Sequence, residues 1–359
     1  MKPPRSHRET GGPHARSMTP PTNVPATDAP AVSARALVKQ FGDQRAVDGV
    51  DLEIRRGEVF GVLGPNGAGK TTVLKMLATM LPIDGGTAEV FGHDVRREPH
   101  LVRQLIGVTG QDASVDENLT ATENLWLFAR LLGMGRNDAR ARSMTLLEQF
   151  DLTEAASKPI SAFSGGMRRR LDLAVSLLTR PPLIFLDEPT TGLDPRTRGQ
   201  MWDTIRELVV DGCTVLLTTQ YLDEADQLAD RIAVIDHGRK VAQGTADELK
   251  SSVGRSTLQV QLNDPDDLAI TAEIAQRMVG EAALSPEARR VNIPLRSTDQ
   301  SIEVLVALRD RGVSIDSVTV QKPSLDEVFL ALTGHDTHPS GADASDEAAD
   351  PTDLMETTR

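Results

Sequence analysis

EVFGVLGPNGAGKTTVLKMLATML, residues Glu58 to Leu81, reads as an apolar strand, a glycine-rich loop and a helix in unbroken succession. Gly64, Pro65, Asn66, Gly67, Ala68 and Gly69 form the loop, and Lys70, Thr71 and Thr72 open the helix. This is the G-x-x-x-x-G-K-[ST] pattern in the strand–loop–helix setting that gives it meaning. Backbone N–H groups of such a loop wrap triphosphate oxygens, and the helix N-terminus adds free N–H groups and a positive dipole end. Gly64, Gly67 and Gly69 permit turns and close approach that a Cβ would obstruct. Lys70 would reach the β- and γ-phosphates, and the Thr71 hydroxyl would hold Mg²⁺. The alternative is a chance glycine turn, which the flanking strand and helix patterns argue against.

Working outward, the strand LIFLDEP from Leu183 is apolar along its whole length, as suits a strand buried on both faces. It ends in two carboxylates. Asp187 can hold the Mg²⁺ that Thr71 also binds, and Glu188 can polarise an attacking water as general base. The plain alternative is a strand terminated by Asp-Glu-Pro. Phe163-Ser-Gly-Gly-Met-Arg-Arg-Arg170 opens another helix. Ser164 can cap it, while Gly165 and Gly166 leave the N–H groups open to an anion. An ordinary cap is the competing reading. Arg168, Arg169 and Arg170 fan over different helical faces, so a solvated or salt-bridged role is expected of them rather than a nucleic-acid patch.

The chain has 359 residues, enough for two folded units and tails. Residues 1–34 hold seven prolines and few large apolar groups, so a disordered tail is expected there. A second, acidic tail is expected at 336–359, where seven acids face one base. The net charge of −13, with no basic block, argues against nucleic acid as a partner. Cys213 is the only cysteine, so neither an intrachain disulfide nor a cysteine metal cluster can form. The sequence contains no apolar run of the length needed to cross a bilayer, so a span would come from another chain. Strands alternating with helices predict a mainly parallel sheet over 35–250. Residues 112–165 break that alternation with a mostly helical insert, which opens on the capping box Thr120–Glu123. Beyond 251, TLQVQL, RRVNIPL and SVTV alternate with helical patterns and predict a small α/β domain to about residue 335.

Taken in order, these motifs resemble the ATP-binding cassette (ABC) family over residues 35–245. GPNGAGKTT resembles its Walker A motif, SGGM its signature and LIFLDEP its Walker B motif. The resemblance implies a P-loop cassette with a mainly parallel core sheet and a helical subdomain, and with ATP and Mg²⁺ as its ligands. It implies further site residues. Gln111 stands where the family places a metal- and nucleotide-contacting glutamine, and Asp194 lies in the D-loop. Phe41 stands where an aromatic stacks on adenine, although an edge-strand aromatic also suits a core. Gln220 stands where the family carries a switch histidine. Glutamine can hydrogen-bond a γ-phosphate but cannot take a proton at neutral pH. The signature also departs from the family's usual glutamine, with Met167 in its place.

TTQYLDEADQLADRI, the SGGM variant and PSLDEVFLALTG together resemble the ATP-binding subunits of daunorubicin/doxorubicin-type resistance exporters. That narrower resemblance implies an integral membrane permease subunit as partner and a site at the cytoplasmic face of the cell membrane. It also implies a second ATP-binding subunit, with ATP clasped between the Walker A loop of one cassette and the signature of the other. The alternative function is a soluble, non-transport ABC ATPase. Such proteins carry paired cassettes or long coiled coils, neither of which occurs here. A third, a regulatory module that binds ATP without turnover, is disfavoured by Glu188. For the C-terminal domain, a regulatory unit, a dimer contact and a stabilising cap all remain open, with the LDEVFLAL run expected to pack in a core.

Overall fold

Residues 29–110, 115–253, 256–295 and 298–334 are described by the computed structural model. The chain opens with β1 (Val32–Phe41), β2 (Gln44–Ile54) and β3 (Val59–Leu63), then α1 (Lys70–Leu77), β4 (Gly85–Val90), β5 (His93–Asp94), α2 (Pro99–Leu105) and β6 (Ile106–Thr109). The helical insert supplies α3 (Ala121–Leu131) and α4 (Arg136–Gln149). The core resumes with α5 (Gly165–Ser176), β7 (Leu183–Asp187), α6 (Pro195–Val210), β8 (Thr214–Thr219), α7 (Leu222–Leu228), β9 (Arg231–Asp236), β10 (Arg239–Gly244) and α8 (Ala246–Val253).

The central sheet runs β10-β9-β3-β8-β7-β6, parallel except for β10. β3, β7 and β8 are buried at every residue, which accounts for their unbroken apolar runs. One face packs on α1 and on a second sheet, β2-β1-β4-β5, through Leu74, Leu77, Val62, Phe185 and Leu216. The other face packs on α5, α6 and the insert, joining Ile184, Leu217, Leu171, Ile205 and Leu125.

Several expectations are corrected. The N-terminal tail does not reach residue 34: Ala31 and Val32 are fully buried, and the Ala31 N–H donates to Ile54 O at 2.8 Å. Residues 1–28 and the acidic tail lie outside the described residues. The second sheet is antiparallel and was not foreseen as a separate layer, because β4 (GGTAEV) buries only Ala88 and Val90 and carries two glycines. The helix read to Leu81 from the sequence is shorter in the structure. The helix stops at Leu77, Thr79 takes a φ of 61°, and Met80 is exposed.

The C-terminal unit comprises β11 (Thr257–Leu262), α9 (Asp267–Val279), β12 (Ala283–Ser285), β13 (Arg290–Pro294), α10 (Thr298–Asp310) and β14 (Ile315–Gln321). Its strand order β12-β13-β11-β14 is that of a βαββαβ split unit. Leu258, Val260, Ile293, Val304 and Leu308 form its own core. α11 (Leu325–Thr333) then leaves this unit. Leu325, Val328 and Phe329 pack with Leu63, Ala225, Ile232 and Leu249 of the cassette.

Candidate nucleotide site

Parallel pairing brings the chemistry together. β8 lies between β3 and β7, with Leu63 in register with Thr219 and Asp187 with Thr218. The loops leaving the carboxyl ends of these strands are therefore neighbours, the place where open α/β sheets bind ligands. Each loop carries one group of interest: the glycine loop after Leu63, Glu188 after Asp187, and half-buried Gln220 after Thr219.

The loop geometry shows why glycine is used. A Cβ on Gly64 would stand 2.2 Å from Ile235 O, and one on Gly69 would stand 2.4 Å from Ala46 O. Gly67 and Gly69 also take φ of 80° and 104°, which L side chains rarely adopt. Asn66 and Gly67 form the turn, closed where the N–H of buried Ala68 donates to Pro65 O at 3.2 Å, and Lys70, Thr71 and Thr72 begin α1.

Lys70 is buried. Its ammonium donates to Gly64 O at 2.8 Å and Pro65 O at 3.0 Å, and lies 3.5 Å from Glu188 Oε1. Burial pulls its pKa below the usual lysine range, while Glu188 and Asp187 oppose that shift. The Thr71 hydroxyl donates to Asp187 Oδ1 at 2.9 Å, and the Thr218 hydroxyl donates to the same oxygen at 2.6 Å. Glu188 follows in the left-handed region, with φ 49°. Its N–H donates to Thr218 O at 3.1 Å, and its Oε2 accepts from Thr191 Oγ1 at 3.3 Å.

The signature segment and the D-loop are separate from the glycine loop. Ser164 caps α5 by accepting from Met167 N at 3.3 Å, and Asp194 caps α6 by accepting from Thr197 N at 3.0 Å. Those bonds to Thr197 lower the Asp194 pKa. Ser164 and Gly165 are exposed; buried Gly166 is confined by packing, since a Cβ there would stand 2.2 Å from Thr197 Cγ2. No hydrogen bond or ion pair among the described residues joins Ser164, Gly165, Gly166 or Asp194 to the glycine loop. Phe41 is 49% exposed at the end of β1, with the Lys39 ammonium 5.3 Å from its ring centroid, so the core reading of this aromatic is excluded. Gln111 lies outside the described residues.

Reading the sequence alone missed three contributors. Thr218 becomes visible only through the register of β7 and β8. Glu224 on α7 is buried; its Oε1 accepts from Thr190 Oγ1 at 2.9 Å and Trp202 Nε1 at 3.3 Å. Arg169 contradicts the solvated reading of the arginine run. Arg168 and Arg170 do pair with Glu117 and Asp151, but Arg169 turns inward onto backbone carbonyls. The signal was present, because Gly166 at i−3 and Leu173 at i+4 put Arg169 on the buried face.

Comparison with known proteins identifies the family. Residues 47–191 match the ABC transporter family model, and 244–333 match the DrrA1-3-like ATP-binding protein C-terminal domain. The daunorubicin/doxorubicin resistance ATP-binding protein DrrA of Streptomyces peucetius is 51% identical over 89% of this chain and 96% of its own length. The Nod factor export ATP-binding protein I of Ralstonia nicotianae is 39% identical over 86% of this chain and 95% of its own. Among solved structures, an ATP-binding cassette captured as a dimer in a post-hydrolysis state with ADP and phosphate superposes with a TM-score of 0.55. It shares 26% identity and covers 60% of this chain and 98% of its own. The chain belongs to the ABC transporter family of ATPases, as an ATP-binding subunit with a DrrA-like C-terminal domain.

Proposed function

We propose that this chain is the ATP-hydrolysing subunit of an exporter, energising a separate membrane-spanning permease from the cytoplasmic face of the cell membrane. The carrying observation is the convergence of Lys70, the Thr71–Asp187 oxygen pair and Glu188 at and beyond the ends of β3 and β7, the two strands that flank β8. Thr71 Oγ1 and Asp187 Oδ1 are hard oxygen donors that suit Mg²⁺, which keeps most of its waters and adds phosphate oxygens. When bound, the ion would neutralise charge on the β- and γ-phosphates. Lys70 holds the same phosphates, Glu188 orients and polarises the attacking water, and Gln220 donates a hydrogen bond toward the γ-phosphate. Phe41 stacks on the base.

Ser164, Gly165 and Gly166 complete the site of a second copy, whose Walker A loop faces them, and Asp194 lies at that seam. ATP is then the interfacial adhesive, through charge-assisted bonds to both halves. The exported compound is proposed to be a hydrophobic drug of the daunorubicin kind. Full-length relatives named for drug resistance support an exporter over a soluble, non-transport ATPase. Among the described residues no helix is long and apolar enough to cross a membrane, which fits a separate permease.

Glu188→Gln tests the reading. Turnover should fall by about a hundred-fold or more, the range of general-base loss. With MgATP the variant should elute as a dimer on size exclusion, and without nucleotide as a monomer. Near-normal turnover would remove Glu188 from the base role, and a monomer under MgATP would overturn the shared-nucleotide arrangement.

A further inference from the structure

Arg169 sits on the first turns of α5, three residues beyond Gly166. Its guanidinium donates to Gly110 O at 2.6 Å, Asp187 O at 2.9 Å, Glu188 O at 2.9 Å and Pro189 O at 3.1 Å. These carbonyls come from two segments, the end of β6 and the turn that carries the two carboxylates. Arginine is suited to this, because its N–H groups are fixed in one planar fork, whereas a lysine presents a compact ammonium on a flexible stem.

The turn it holds is not a relaxed one. Glu188 has φ 49°, a region a non-glycine residue occupies at a cost. Such conformations persist only where the surroundings over-determine them. From one side, the Glu188 N–H donates to Thr218 O and Oγ1, each at 3.1 Å. From the other, Arg169 holds the carbonyls of residues 187, 188 and 189. Burial pushes the guanidinium below the usual arginine range, and the carboxylates of Asp172, Asp187, Glu224 and Glu188 oppose that. The charge is thus kept where four carbonyl oxygens use it.

We infer that Arg169 is a positioning residue for hydrolysis, tying the backbone that aims Glu188 to the helix whose N-terminus presents Ser164 and Gly165. This rests on Glu188 acting as the base. The four carbonyls that Arg169 holds lie outside the glycine loop, so its loss should affect the chemical step and leave nucleotide binding through that loop in place. A shift of α5, when its N-terminus meets a second nucleotide, reaches the Glu188 carbonyl through a single side chain.

The test uses the full-length chain and steady-state ATP turnover. Arg169→Lys keeps the positive charge and loses the fork. Its kcat should fall on the order of ten- to a hundred-fold, as for a mispositioned catalytic group, with KM for ATP little changed. Its melting temperature should stay within about 3 °C of the parent. In the Glu188→Gln background, Arg169→Lys should cause no further loss of turnover and leave MgATP-driven pairing intact. Parental kcat in Arg169→Lys, with Glu188→Gln inactive, would overturn this inference alone. So would a kcat loss matched by equal loss of MgATP affinity and a lowered melting temperature, which is the signature of a merely structural residue. Parental turnover in Glu188→Gln would instead remove the base assignment and this inference with it.

Discussion

Glu224 shows how much one buried acid can ask of its surroundings. Burial raises its pKa from the ordinary 4.5, and hydrogen bonds from the Thr219, Thr190 and Trp202 side chains only partly offset this. The folded chain therefore holds a proton that the unfolded chain releases, and stability falls as pH rises through the window that opens at 4.5. Glu224→Gln keeps an acceptor for Thr190 and Trp202 and removes the ionisation. Its thermal stability relative to the parent should therefore increase as pH rises above 4.5. A difference that stays flat or shrinks over that range would show that the carboxylate is stabilised in place. At this scale the sequence speaks clearly where chemistry is local. The glycine loop with Lys70 and the Asp187-Glu188 pair are legible because each pattern is complete within its own short segment. Thr218, Glu224 and the inward turn of Arg169 are not, because each acts through partners 18 to 59 residues away that only sheet register and helix packing bring near.

Between elements, α5 and α6 are held in close contact near the site. Gly166 lets the two helix N-termini approach, and an alanine Cβ there would press on the Thr197 methyl group. Thr197 also serves α6, giving its N–H and hydroxyl to Asp194 at 3.0 Å and 2.6 Å. Gly166→Ala should cost about 1–3 kcal/mol, the usual range for overpacking, measured by chemical denaturation. Adding Thr197→Ser removes the obstructing methyl and keeps the hydroxyl, so the double variant should regain much of that loss. Strict additivity in the double-mutant cycle would mean that the strain is relieved elsewhere. Strands buried on both faces were readable as continuous apolar runs, and the capping box of α3 was readable from Thr120 and Glu123. The antiparallel layer was not, since β4 is glycine-rich and gains its strand state from pairing with β1, as polar β10 does from β9 at the edge of the central sheet.

Over the whole molecule, the division into cassette and C-terminal unit followed from the change in patterning near residue 251, but the way the two are joined did not. α11 belongs in sequence to the C-terminal unit and in packing to the cassette. Its N-cap Ser324 accepts from Glu327 N at 3.2 Å, and its apolar face meets α7, α8 and the last residue of β3. Leu63 shares one buried cluster with Leu325, Val328 and Phe329 and runs directly into Gly64. Apolar spacing reports which helix face is buried but not which body buries it. A cassette dependent on this contact should lose stability when it is removed, while the βαββαβ core of Val260, Ile293 and Leu308 keeps its own packing. Phe329→Ala should destabilise the chain by about 3 kcal/mol, the lower end for a buried phenylalanine. The loss should fall on the unfolding transition that MgATP raises by mass action. Ile302→Ala serves as the control, since Ile302 is 62% exposed on α10, and it should shift neither transition. If Phe329→Ala leaves the MgATP-responsive transition unchanged, α11 is a passive appendage and the cassette stands without it.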